Sequence, residues 1–152
     1  MNVEIFNFGF SGNGKMETTV GEFLAPVNAS VIVVDCSWNM NSAMITENAQ
    51  PLVRYFRAHG RPDTPLVLAE GLIFGRNWAV SDQKALQDAS NAALRGAYDA
   101  LVAAGDANLH YVTSEALWGN NVQLEMDSPT ANGLHPTDAG MRLMAAVWTK
   151  TL

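Results

Sequence analysis

The segment NFGFSGNGKME at residues 7–17 crowds three glycines, a serine and a lysine behind the short apolar run VEIFNF at residues 3–8. That run is rich in β-branched and aromatic residues and predicts a strand over residues 3–8, buried on both faces. Gly9, Gly12 and Gly14 permit positive φ or close approach of a ligand to the backbone. Residues 18–25 resume a helix-compatible pattern, so the local expectation is strand, glycine loop, helix. In such units ligands bind beyond the carboxyl ends of the strands, near the amino end of the next helix.

The same alternation continues outward. VIVVDC at residues 31–36 is continuously apolar, as a parallel strand covered by helices would be. Residues 42–59 carry Ile45, Ala49, Leu52, Val53 and Phe56 at helical spacing, with Pro51 expected to kink the helix or start its regular part and Gly60 to stop it. Residues 66–70 predict a third strand. Ser81 is the expected N-cap of an alanine-rich helix reaching Ala104, with Leu86, Ala89, Ala93, Ala97 and Leu101 facing inward and Gly105 as C-cap. Residues 109–112 predict a fourth strand, followed by a long aperiodic loop to His135, a length that usually signals function. Pro136 and Thr137 open a last helix through Met141, Met144, Val147 and Trp148. Four βα units without an internal repeat imply one α/β domain over residues 1–152, a parallel sheet with helices on both faces.

Composition narrows the partners. The 152 residues are 48% hydrophobic and 16% charged, a globular composition, and the net charge is −6. An acidic chain with few basic residues is a poor match for a phosphate backbone, so nucleic acid is not expected. Arg54, Arg57 and Arg61 form the one basic grouping, at helical spacing that reads as a solvated face. No apolar run approaches the ~20 residues of a membrane span, and the start lacks a signal-peptide pattern, so a cytoplasmic protein without a membrane partner is expected if the chain is complete. The lone Cys36 forms no internal disulfide, no Cys/His cluster suggests a metal, and no cofactor is expected.

Beyond the carboxyl ends of the strands lie Ser11 and Gly12, Asp35 to Asn39, Glu70 and, at the end of the long loop, His135. A serine, a histidine, an asparagine and glycine amides are the parts of an acyl-transfer site: nucleophile, base and oxyanion donors. GFSGNG at 9–14, DCSWNM at 35–40 and GLHPTDAG at 133–140, in that order, resemble the later sequence blocks of the SGNH (GDSL-type) hydrolases, particularly a bacterial branch. The resemblance covers nearly the whole chain. It implies a three-layer α/β/α sandwich with a flavodoxin-like parallel sheet of about four strands. It also implies oxyanion donors at Gly12 and Asn39, a base at His135, and a small-molecule ester, short acyl or acetyl, as substrate.

Two features depart from the family pattern. The family's first block, a GDS-type turn that supplies the nucleophile, should precede GFSGNG, yet that loop begins only six residues after the first predicted strand starts at Val3. Either the usual first βα unit is missing, or it is replaced by the opening unit, with Gly9, Phe10 and Ser11 as a degenerate GDS turn. In the second case Ser11 would sit at a helix amino end facing His135. The alternative for Ser11 is a purely loop-shaping role. The family's aspartate three residues before the histidine is Asn132 here, which leaves Asp127 as the candidate partner of His135 and implies weak activity.

Other readings remain open. Gly9, Gly14 and Lys15 give GxxxxGK, followed by VIVVD, the outline of a P-loop nucleotide site, but Met16 stands where a Ser or Thr hydroxyl should reach Mg²⁺. His135 before a proline has a capping role as its alternative, and Cys36 reads as buried and inert. Trp38 and Trp78 either wall an acyl pocket or close the core. Loss of an interior strand would expose apolar surface, which predicts a homo-oligomer or a catalytically impaired remnant serving assembly.

Overall fold

The computed structural model describes residues 4–71, 81–118, 130–131 and 135–152. Three short strands, β1 (Ile32–Val34), β2 (Leu66–Ala69) and β3 (Leu109–Val112), form a parallel sheet in the order β1-β2-β3. Helices α1 (Thr18–Leu24), α2 (Ser42–Ala58) and α3 (Ser81–Ala103) precede β1, β2 and β3 in the chain, and α4 (Ser114–Trp118) and α5 (Asp138–Thr151) follow β3. Ser37–Asn39 form a single 3-10 turn after β1.

The pleat sorts the sheet into two cores. Ile32, Val34, Leu66, Leu68 and Leu109 point toward α2 and α3, where they meet Ile45, Val53, Phe56, Leu94 and Leu101. Val67, Ala69 and Val112 point to the other side, against Leu117 and Met144 of α4 and α5. Every residue of β2 is buried, so the central strand is covered on both faces. The architecture is therefore the expected three-layer α/β/α arrangement. Among the described residues no helix is long and apolar enough to cross a membrane.

Helix α2 follows its sequence pattern closely. Asn41 caps it by accepting from the Met44 amide at 2.9 Å, and Ile45, Ala49, Leu52, Val53 and Phe56 are its buried residues. Pro51 sits inside the helix, which continues through it to Ala58. Both long helices end alike. Gly60 (φ +93°) lets the Arg61 amide reach the Phe56 carbonyl at 3.0 Å, and Gly105 (φ +100°) lets Asp106 reach Leu101 at 3.1 Å, the six-to-one bond of a Schellman cap.

Three expectations are corrected. Residues 4–10 form no strand, and Ile5, Phe6, Phe8 and Phe10 are exposed. An apolar segment becomes a strand only when a neighbour takes up its backbone groups, and no described strand lies beside it. The described sheet thus has three strands rather than four. In α3 the inward stripe is Gln87, Ser90, Leu94, Ala97 and Leu101, whereas Leu86 and Ala89 are exposed. Gln87 and Ser90 win burial because carbonyls await them: Gln87 Nε2 donates to Gly71 at 2.9 Å and Ser90 Oγ to Met40 at 3.3 Å. Arg57 is no solvated residue either. Its guanidinium binds both Asp106 oxygens at 2.8 and 3.0 Å and the carbonyls of Arg61, Thr64 and Asn108, lacing together the segments that lead into β2 and β3.

This register has a direct consequence for stability. Phe56→Ala should cost about 3–5 kcal/mol in urea unfolding, while Leu86→Ala should change stability by no more than about 0.5 kcal/mol. A comparable cost for Leu86→Ala would restore the stripe expected from sequence.

Candidate active site

The glycine loop is a tightly wound piece of chain. The Asn13 amide bonds the Phe10 carbonyl at 3.0 Å, and the two central residues of that turn, Ser11 (φ +41°) and Gly12 (φ +84°), both lie in the left-handed region. Positive φ at both positions is the signature of a primed turn, which suits glycine and strains serine. Met16 (φ +57°) is left-handed as well, and its side chain is buried among the α2 and α3 core residues. Ser11 therefore sits at the exposed tip of a turn seven residues before α1, not at a helix amino end as the sequence suggested. The buried Met16 thioether also leaves the phosphate-loop reading without its metal-binding hydroxyl.

The loop is held against the carboxyl end of β1 through Gly14. A Cβ built on Gly14 would lie 3.3 Å from Cys36 Cβ, so this approach needs glycine or a shift of its neighbours. Asn39 Nδ2 donates to the Gly14 carbonyl at 3.3 Å, and Asn48 Nδ2 to the Lys15 carbonyl at 2.9 Å. The structure thus brings Asn39 onto the loop that carries Gly12.

Asn39 is positioned by a turn whose consecutive side chains fasten to different partners. Ser37 Oγ, buried, donates to the Ala69 carbonyl at the end of β2 at 2.9 Å. Trp38 Nε1 donates to Asp35 Oδ1 at 2.8 Å, and its half-buried ring packs on the Val67, Ala69 and Met144 cluster. Burial raises the Asp35 carboxyl above its ordinary range, an effect the Trp38 hydrogen bond opposes without cancelling. Cys36, beside it, is pushed up to about 11 by burial and by the Asp35 and Glu17 carboxylates, despite its bond with the Met16 backbone. A thiol held there is protonated at neutral pH and is no nucleophile.

Glu70, after β2, accepts from the Tyr111 hydroxyl at 2.8 Å and the Ser114 amide at 2.7 Å, joining the end of β3 to α4. Asn91 Oδ1 receives the Gly71 amide at 3.1 Å. Glu70, Gln87 and Asn91 therefore brace the carboxyl edge. The polar residues of α3 were the readable signal, because Gln87 and Asn91 are spaced to share one helix face.

His135 is an exposed residue two positions before Thr137, which caps α5 by accepting from the Gly140 amide at 3.3 Å. Its carbonyl receives the Ala131 amide at 2.8 Å, beside an antiparallel bridge between Thr130 and Pro136. Among the described residues no hydrogen bond joins His135 to Ser11, Gly12 or Asn39. Asp127, Asn132 and Trp78 lie outside the described residues. Among the described residues, no three His, Cys, Asp or Glu side chains converge where they could share an ion.

The raised Asp35 group carries a testable sign. Below about pH 4 the carboxyl is protonated in both folded and unfolded chains and costs nothing. As pH rises through that unfolded value toward the higher folded one, the unfolded state ionises first and stability falls. Asp35→Asn should therefore gain stability relative to the wild type between pH 3 and pH 7, read as the midpoint difference in urea titrations at the two pH values. A difference that is flat or reversed would show that Asp35 is not penalised by burial.

Comparisons with known proteins agree with the fold. The model of the GDSL-like lipase/acylhydrolase family matches residues 1–152. A crystal structure described as that of a GDSL-like lipase from Bacteroides ovatus superposes with a TM-score of 0.82 at 26% identity, over 92% of this chain and 40% of the other. The salicylyl-acyltransferase SsfX3 from a tetracycline biosynthetic pathway shares the fold, with a TM-score of 0.72 at 18% identity over 90% of this chain and 40% of its own. The chain thus spans about two-fifths of the length of either structure. No curated protein matches it. With a family match from end to end and the same sandwich in both neighbours, this chain belongs to the GDSL-like lipase/acylhydrolase family.

Proposed function

We propose that the chain hydrolyses short acyl or acetyl esters through an acyl-enzyme. One observation carries the reading: the Asn39 amide is held at 3.3 Å on the loop that contains Gly12, so a side-chain donor and a glycine backbone donor stand on adjoining segments. Two donors preorganised in this way stabilise the charge that develops on a carbonyl oxygen as it becomes tetrahedral.

In the proposed sequence of events Ser11 Oγ attacks the ester carbonyl carbon while His135 takes the hydroxyl proton. The oxyanion is met by the Gly12 amide and Asn39 Nδ2. Collapse breaks the bond to the alcohol, which leaves with the proton from His135. Water, deprotonated in turn by His135, attacks the acyl-enzyme, and the acid departs as Ser11 regains its proton. Asp127 is assigned to orient His135, and Trp38 with Trp78 to wall the acyl pocket. With asparagine at position 132, where the family pattern has aspartate, turnover should be slow, since loss of the orienting carboxylate costs a serine triad about 10⁴ in kcat.

We extend the proposal to the setting. A single reduced, half-buried cysteine suits the cytoplasm. The exposed apolar side chains of residues 5–10 suit association of the chain with itself.

Hydrolysis of p-nitrophenyl acetate by the purified chain tests the mechanism. Ser11→Ala and His135→Ala should each reduce the rate to background, and Asn39→Ala should lower kcat by about 10²-fold or more. A rate that survives His135→Ala would remove the base from the mechanism, and a rate that survives only Ser11→Ala would remove the nucleophile.

A further inference from the structure

We infer that Asn48, on α2, is a positioning residue for the proposed reaction: it anchors the glycine loop by the Lys15 carbonyl and so leaves the Asn39 amide to the substrate. The inference deepens the esterase reading and rests on it for its kinetic half, whereas the anchor is a property of the folded chain alone.

The loop needs an anchor because its backbone is unfavourable by itself. Ser11 (φ +41°) and Met16 (φ +57°) are left-handed, a conformation in which Cβ crowds the backbone. Such residues persist only where their surroundings over-determine them. Met16 is held in part by the burial of its side chain among the α2 and α3 core residues. Just before it, two consecutive carbonyls are each taken by an asparagine amide from a different element. Asn39 Nδ2, from the turn after β1, donates to Gly14 at 3.3 Å, and Asn48 Nδ2, from α2, donates to Lys15 at 2.9 Å. The Lys15 amide is engaged as well, donating to Glu17 Oε2 at 2.8 Å.

Distance separates the roles of the two asparagines. An N–H···O bond is most favourable at about 2.9–3.0 Å and weakens beyond about 3.2 Å. The Asn48 contact therefore has full strength, and the Asn39 contact is the looser one. Were Asn39 the sole hold, turning its amide toward an ester oxygen would release the loop that carries Gly12. With Asn48 on the next carbonyl, Asn39 can turn while the Gly12 amide keeps its place.

The sequence around Asn48 fits this role. Asparagine inside a helix is a poor helix former, because its side chain competes for nearby backbone groups. Here the amide bonds a carbonyl 33 residues back along the chain instead of its own helix. Ile45, Ala49 and Leu52, which surround position 48 in sequence, are buried residues of α2. A donor on so well packed a helix has a fixed base from which to hold a loop.

Kinetics on p-nitrophenyl acetate, with hydrogen exchange at the Lys15 and Val67 amides, test the inference on the purified chain. Asn48→Asp keeps the shape of the side chain but, ionised at neutral pH, has no hydrogen to donate. It should lower kcat about 10-fold or more with KM within about 2-fold of the wild type. The Lys15 amide should exchange at least about 10-fold faster, while Val67 in the central strand keeps its protection. Asn48→Ala, which removes the amide without adding charge, should behave alike and replaces Asn48→Asp should that variant fail to fold. Faster exchange at Lys15 with wild-type kcat would make Asn48 a structural residue only and overturn the positioning role. Unchanged exchange at Lys15 would overturn the anchor, and an equal rise at Val67 would trace the effect to general destabilisation and overturn it too. A wild type without activity would overturn the esterase reading and the positioning role with it, while exchange at Lys15 would still decide the anchor.

Discussion

The fold rests on the coverage of β2. Its four residues are buried on both faces, and a strand so placed must find apolar partners above and below and hydrogen-bonding strands on either side. Helices α2 and α3 supply one cover, α4 and α5 the other, and β1 and β3 the backbone partners. The residues at and just past the end of β2 are fixed by the same burial. The Ala69 carbonyl anchors Ser37, and Glu70 and Gly71 anchor Tyr111, Ser114, Gln87 and Asn91. The carboxyl edge is therefore a hydrogen-bonded rim on a rigid strand, while Arg57 laces the opposite edge.

Rigidity of that rim is what gives the Ser37–Asn39 turn its value. Ser37 is tied to the sheet and Trp38 to Asp35, which leaves Asn39 directed at the glycine loop rather than free to rotate. A donor with little left to reorganise is the kind that favours a developing oxyanion over a ground-state carbonyl. The loop opposite it stores strain, with Ser11 and Met16 both in the left-handed region.

Much of this was legible in the sequence where a local rule decides. The stripe of α2, the span of β3 and the glycine caps at 60 and 105 need only periodicity and φ, and each stands where the pattern put it. The failures share a cause. Gln87 and Ser90 are polar, which by pattern alone places them outward, but carbonyls of distant segments make their burial favourable. Arg57 has the spacing of a surface residue until the loops before β2 and β3 bring it acceptors. Residues 3–8 have the composition of a strand without a described strand to pair with. The family resemblance pointed to Asn39 and Gly12, but neither it nor the spacing gave the contact of Asn39 with the Gly14 carbonyl, 25 residues away. The turn geometry that puts Ser11 at an exposed tip was carried by no motif.

The proposed chemistry turns on whether Ser11 is an activated nucleophile. Treatment of the folded chain with a fluorophosphonate ester, followed by mass spectrometry of the intact protein and its peptides, asks this directly. The predicted result is a single phosphonyl adduct on Ser11, formed by the wild type and not by His135→Ala. An unlabelled chain, or an adduct on any other residue, would contradict it.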